Sequence, residues 1–284
     1  MEKISVLSMF RDSESYLAEA LHRLDALERE TETFSFEYFF YENDSTDSTV
    51  DTINKWIVKK EGRLLSEILN KPKFSQSTAV ERQIDMTHYR NRMLDNAKPL
   101  DSTYTLLLDS DVIFNGSLIN DYVQYFNNDV VKHIYRKLVM ITPNVSQNIK
   151  CKMFDETKDS YYDSFALVDN YNNHGLTWAS NPFFHPVDRQ KWASGIPVEV
   201  QSAFGGAPLI KSNVLNKIKW STDGGCEHWN FCRDIRQYGK IVVAPKVKVK
   251  VELENKLINS LNSDHIFMVI EKQKQLFQLL NTTL

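Results

Sequence analysis

Apolar positions in the first hundred residues follow two alternating periods. Residues 4–9 and 34–41 are short, nearly continuous apolar runs and read as buried strands, the second dense in aromatics. Between them, Leu17, Ala20, Leu21, Leu24 and Leu27 recur at helical spacing behind Asp12 and Ser13, either of which can cap a helix. Val50, Ile53, Trp56 and Ile57 mark a second helix after the polar loop 42–47. Residues 71–77 read as loop, 78–97 as a third helix closed by Pro99, and 103–108 as a third strand. This βαβαβ order predicts an α/β fold with a largely parallel sheet and helices on both faces.

The second half is less regular. Strands are expected over 138–142, 164–168, 207–210, 241–244 and 247–251, and a helix over 227–238 that Gly239 stops. Residues 170–197 show little periodicity and read as a long ordered loop, a type that usually serves function. A further helix is expected from Asp264. No internal repeat, low-complexity tract or clear domain boundary interrupts the chain.

The chemistry concentrates where the 103–108 run breaks, at Asp109-Ser110-Asp111. Side chains two apart on a strand share a face, so both carboxylates can converge on one point. Parallel sheets bind ligands at the carboxyl ends of their strands, where this pair falls. Two hard oxygen ligands suit Mg²⁺ or Mn²⁺, ions that share a few carboxylates with substrate phosphates. An acidic turn after a core strand has the same sequence, so the pair alone does not decide.

Composition narrows the classes. The 284 residues carry a net charge of −3, which gives no global pull toward nucleic acid or an anionic membrane. An anionic ligand therefore needs local cations or a metal. Cys151, Cys226 and Cys232 do not make a disulfide framework and favour a reducing compartment. Cys226 and Cys232 lack two further soft ligands for a metal and read as small buried apolar residues. No run approaches the roughly 20 apolar residues of a membrane span, and no signal-peptide pattern opens the chain. A soluble, cytoplasmic protein is expected.

Together these features resemble the GT-A glycosyltransferases, nucleotide-sugar-dependent enzymes on a Rossmann-like fold. The segment from Glu42 to Thr49 resembles their Asp-Asp-Gly-Ser-x-Asp-x-Thr motif, with Asn43 in place of an acid and Asp44 in place of the glycine. Tyr89-Arg90-Asn91-Arg92 resembles their Ala-Arg-Asn segment ahead of the Asp-x-Asp strand. Ser202-Ala203-Phe204-Gly205-Gly206 and Cys226-Glu227-His228-Trp229-Asn230-Phe231-Cys232 resemble segments of fungal capsule mannosyltransferase-like proteins and of glycosyltransferases from large algal viruses.

The resemblance implies one catalytic domain over 1–284, with a nucleotide-sugar-binding half (1–115) and an acceptor-binding half (116–284). It implies Mn²⁺ or Mg²⁺ held by Asp109, Asp111 and His265, with donor contacts from Glu42, Asp44, Arg90, Asp109 and Ser110. The donor is expected to be a UDP-sugar, xylose among the candidates. The acceptor is expected to be an oligosaccharide or glycoprotein glycan, met by Trp178, Gly205, Gly206 and His228. Glu227 is the expected general base of an inverting transfer. A viral enzyme would act in the host cytoplasm.

The alternative enzyme is a haloacid-dehalogenase-like phosphatase using Asp109 and Asp111, although that pair normally follows the first core strand. A dinucleotide-dependent dehydrogenase is disfavoured, since Met9-Phe10-Arg11-Asp12 offers no Gly-x-Gly-x-x-Gly turn. A metal-dependent carbohydrate-binding protein would not need the upstream nucleotide segment.

Overall fold

The computed structural model describes residues 2–73, 79–151, 156–176 and 179–251. The first half folds as its periodicity predicts, with one further strand at Gly62–Glu67. Strand β1 (Glu2–Phe10) is followed by α1 (Glu14–Glu30), β2 (Phe34–Asn43), α2 (Thr49–Ile57), β3 (Gly62–Glu67), α3 (Val80–Ala97) and β4 (Tyr104–Asp109). The four strands are parallel in the order β3-β2-β1-β4. Ile4, Val6, Leu7, Leu106 and Leu107 are fully buried at the centre, and Leu17, Leu24, Met93 and Leu94 cover them from α1 and α3. Strand β3 gives no periodic signal because it is an edge strand whose side chains stay largely exposed.

The chain continues through β5 (Val112–Ile113), α4 (Leu118–Asn127), α5 (Asp129–Ile134), β6 (Leu138–Cys151), β7 (Glu156–Tyr161), β8 (Val168–Asp169) and α6 (Pro186–Ala193). It ends with β9 (Val198–Ser202), β10 (Leu209–Lys211), α7 (Ser212–Leu215), α8 (Glu227–Arg236) and β11 (Lys240–Val251). The sheet extends from β4 as β10-β6-β11-β9-β8. Strand β10 is antiparallel to both β4 and β6, and β11 is parallel to β6, so β6 and β11 run with β1 and β4. The result is a mixed, mostly parallel sheet flanked by helices.

Three expectations change. The strand expected over 164–168 shrinks to β8, because Ala166 and Leu167 are buried without joining a ladder. The loop expected over 170–197 contains α6, which starts at Pro186, a residue pre-set for the first helical turn. The two strands expected over 241–251 are one, interrupted by a register shift between Ala244 and Lys248. Pro245 lies there and has no N–H for the ladder. The helix expected from Asp264 lies outside the described residues. Cys226 and Cys232 are free and buried, as expected.

The insertion of β10 positions the site. The chain enters β10 beside the end of β4, so Asp109 donates its backbone N–H to the Gly206 carbonyl at 2.7 Å and Leu107 donates to Pro208 at 3.1 Å.

Gly239 follows α8, but its φ is not in the left-handed region. Its glycine is required by close approach: a Cβ there would stand 2.0 Å from the Lys137 carbonyl oxygen and 2.6 Å from the Val139 side chain. Gly239→Ala is therefore expected to destabilise the fold by about 1–3 kcal/mol in urea unfolding, through overpacking. An unchanged midpoint would show that the β6–β11 end absorbs the methyl group.

Candidate active site

Strands β1, β2 and β4 end together at Phe10, Asn43 and Asp109. A cleft of about 400 Å³ opens there, lined by Arg11, Asn43, Tyr89, Arg90, Asp109, Ser110, Asp111, Tyr162 and Gly206 among others. Lys73, Arg82 and Asp85 also line it.

Asp109 is the last residue of β4, and its Oδ1 accepts from Arg90 Nη2 at 3.2 Å. Ser110 Oγ lies 3.0 Å from the Tyr16 hydroxyl, itself 2.9 Å from Ser13 Oγ, which ties the acidic turn to α1. Lost solvation in the cleft, together with the Asp109 charge, pushes the Asp111 carboxyl up to about 6. A carboxyl raised in part by a neighbouring carboxylate suits a cation that the two can share. Among the described residues, no group of three or more His, Cys, Asp or Glu side chains is gathered as a metal site. The pair nevertheless fits Mg²⁺ or Mn²⁺, which take one or two carboxylates and complete their shell with phosphate and water. His265 lies outside the described residues.

The loop after β2 uses its acids differently from the expectation. Glu42 is buried, with Oε1 accepting the Ser45 N–H and Oε2 the Ser66 hydroxyl, each at 2.6 Å. Its carboxylate closes the turn onto β3 and is not part of the cleft lining. Asp44 has φ +57°, a conformation that Asp tolerates better than most residues, which explains how it replaces the motif's glycine. Its carboxylate accepts the N–H groups of Leu69, Asn70 and Lys71 at 2.6, 2.8 and 3.2 Å, and the Asn43 amide at 2.9 Å. Burial opposes its ionisation, but these donors outweigh it and hold the carboxyl down at about 2. Between the two acids, Asn43 faces the cleft.

Arg90 is the hub of the site. Its side chain is 5% exposed; beyond Asp109, its Nε stands 3.6 Å from Glu227 Oε1, and its guanidinium lies over Phe204 at 4.7 Å and Trp220 at 6.0 Å. Burial works against its charge, but Asp109 and Glu227 outweigh that and strengthen its hold on the proton. Glu227 opens α8, is 5% exposed and lies behind Arg90 rather than on the cleft wall. His228 stacks on Phe204 at 3.9 Å. Burial first, then the Arg90 charge, depresses its imidazole well below the usual value.

Gly205 and Gly206 both occupy left-handed backbone, at φ +66° and +69°. A Cβ on Gly206 would meet Val112 at 2.6 Å and stand 3.5 Å from Asp109 Oδ2, so this glycine belongs to the carboxylate end of the cleft. Trp178 lies outside the described residues. Sequence reasoning missed Asp163, on the turn after β7. Its Oδ2 accepts the Gly205 N–H at 2.7 Å. Burial, with the Asp109 and Glu227 charges adding, pushes its carboxyl up to about 7 against that hydrogen bond. Nothing around Tyr162-Asp163-Ser164 marked it, because the segment has neither period nor motif.

No protein-family model matches the chain, and no curated protein sequence matches it. Solved structures do. S. aureus TarS (residues 1–349) superposes with a TM-score of 0.52 at 14% identity, over 88% of this chain and 60% of that one. The mannosyltransferase PcManGT from Pyrobaculum calidifontis, in complex with GDP-Man and Mn²⁺, gives 0.52 at 12% identity, over 90% of this chain and 58% of that one. TarS in complex with UDP-GlcNAc gives 0.50 at 15% identity, over 92% and 61%. The chain thus spans about three fifths of the length of these neighbours. Its fold is of the GT-A glycosyltransferase type. The acidic pair follows β4, not the first strand that the phosphatase alternative requires.

The buried neutral imidazole sets a pH dependence. As pH falls through the unfolded histidine value near 6.5, the unfolded chain takes up a proton that folded His228 resists, so stability is lost on acidification. His228→Phe preserves the stacked ring and should remove about 2 kcal/mol of the stability lost between pH 6.5 and 5. Denaturant titrations of both proteins across that range check this; parallel slopes would exclude His228 as the source.

Proposed function

We propose that this protein is a metal-dependent glycosyltransferase that moves a sugar from a nucleoside-diphosphate sugar, with UDP as the nucleotide, to a hydroxyl of a glycan. The supporting observation is the Asp109–Asp111 pair at the carboxyl end of β4, inside a cleft that Asn43 and several cations share. The neighbours' own ligands, UDP-GlcNAc for TarS and GDP-Man with Mn²⁺ for PcManGT, support nucleotide-sugar use in general, and the first of them supports UDP. Bound Mn²⁺ or Mg²⁺ would neutralise charge growing on the departing nucleoside diphosphate. Asp109 and Asp111 hold it, and Arg90 fixes the orientation of Asp109.

Glu227 is the proposed base. The acceptor oxygen bonds to the anomeric carbon as the bond from that carbon to the phosphate oxygen breaks, and the hydroxyl proton passes to the Glu227 carboxylate. Such a single displacement inverts the anomeric centre. Arg90 and His228, 3.6 and 3.5 Å from its Oε1, orient the Glu227 carboxylate. Gly206 beside Asp109 and His228 stacked on Phe204, with Gly205, form the near part of the acceptor side in this reading. We assign the whole chain to one catalytic domain, with residues 1–115 serving the donor and 116–284 the acceptor. The free, buried Cys226 and Cys232 suit a reducing compartment, and the reaction is placed in the cytoplasm. Among the described residues no helix is long and apolar enough to cross a membrane. The Phe204-Gly205-Gly206 and Cys226-to-Cys232 segments, whose sequences carry the proposed kinship with the capsule and algal-virus enzymes, meet at Arg90.

Two variants test the assignment. Asp111→Asn should lose Mn²⁺-dependent UDP binding in calorimetry while melting as a folded protein; undiminished binding would remove Asp111 from the metal site. Glu227→Gln should retain UDP binding but slow transfer by roughly 10²–10⁴-fold. Product NMR of the wild type should show inverted configuration. Retention, or a fully active Glu227→Gln enzyme, would dismiss the base role.

A further inference from the structure

An aromatic surface leads away from the cleft. Tyr162 lines the cleft and is 38% exposed; Phe165, three residues on, is 43% exposed. Phe165 packs on Trp229 with ring centroids 5.2 Å apart, and exposed His174 packs on the same indole at 5.2 Å. Trp229 belongs to α8, the helix that Glu227 opens, and Tyr162 carries the surface to the cleft that holds Asp109 and Asp111.

The surface is fixed in place. Trp229 Nε1 donates to the Phe165 carbonyl at 3.2 Å, which satisfies the indole and pins the loop. Tyr162 donates its N–H to Val145 at 2.9 Å, and Asp163 accepts from Gly205. Gly225 backs the indole so closely that a Cβ there would stand 2.9 Å from the ring. The rings therefore lose little freedom when something lands on them.

We propose that Tyr162, Phe165, His174 and Trp229 form a ledge that binds the apolar face of an acceptor saccharide. The inference rests on the glycosyl-transfer reading above and supplies the chemical class of its acceptor. Aromatic rings offer a large apolar face with a polar edge, the complement of a pyranose whose C–H groups lie on one face and hydroxyls on its rim. The exposed aliphatic residues Val130, Ile134 and Ile196 gather instead around a separate cavity lined by Asp121, Tyr125 and Lys246. The ledge is aromatic, narrow and continuous with the cleft, which favours a sugar over an apolar peptide.

Saturation-transfer NMR tests this on the full chain loaded with UDP and Mn²⁺. The probes are methyl glycosides of xylose, rhamnose, mannose, glucose and galactose at millimolar concentration. At least one glycoside should receive saturation at its ring C–H protons. Phe165→Ala, at an exposed position, should weaken its binding about tenfold while the melting curve is kept. Trp229→Leu should do the same, and its own melting curve shows whether the loop remains folded. If no glycoside binds, or if folded Phe165→Ala binds as the wild type does, the ledge is overturned. Failure of the wild type to bind UDP with Mn²⁺ would instead overturn the transferase reading on which the ledge rests.

Discussion

One buried guanidinium joins the three segments that make the site. Arg90 on α3 reaches Asp109 at the end of β4 and Glu227 at the start of α8, with Phe204 and Trp220 against its faces. An unpaired charge at this depth is costly; two carboxylate partners offset that cost, and removing the cation would leave both acids stranded. Its neighbours extend the clamp. Asn91 holds both the N–H and the carbonyl of Trp220 at 2.9 Å, and Trp220 stacks on Phe231 of α8 at 4.0 Å. Tyr89 lines the cleft and Arg92 pairs with Glu67 at the end of β3. Arg90, Asn91 and Arg92 thus tie β3, β4, the Trp220 loop and α8 to one turn of α3.

The parallel half, β3 apart, was legible because β1, β2 and β4 are largely buried and α1 carries an apolar stripe. What escaped was shallow. Only Asp188 and Trp192 of the eight residues of α6 are buried, so no stripe announces the helix. Strand β9 buries Val198, Val200 and Ser202 in alternation, too short a pattern to stand out beside a polar loop. The Asp109–Asp111 pair was readable because the apolar run of β4 marks the strand end where it falls, Asp109 closing the strand and Asp111 lying on the turn beyond it. Asp163 was not, since its place beside Gly205 comes from a tertiary contact across 42 residues. Glu42 and Asp44 carry a different lesson: a motif locates a loop, while backbone N–H groups decide which of its acids remain available to a ligand.

The strand order explains why acids from distant segments meet. Had β10 run parallel to β4, its preceding glycines would lie at the opposite end of the sheet. Its antiparallel course returns Gly205 and Gly206 to the tip of β4, and Asp163 closes over them. Asp109 and Glu227 share one buried cation, Arg90, while the Asp109 charge also acts on Asp111 and Asp163. Arg11 and Lys73 line the same cleft but face Asp44 and Asp12, so they do little to balance that excess. The carboxyls raised to about 6 at Asp111 and about 7 at Asp163 express the imbalance, each chiefly through lost solvation and then through neighbouring negative charge. A divalent cation at Asp109 and Asp111 would offset that negative charge, so the acids gathered by the fold favour the metal that the proposed transfer needs.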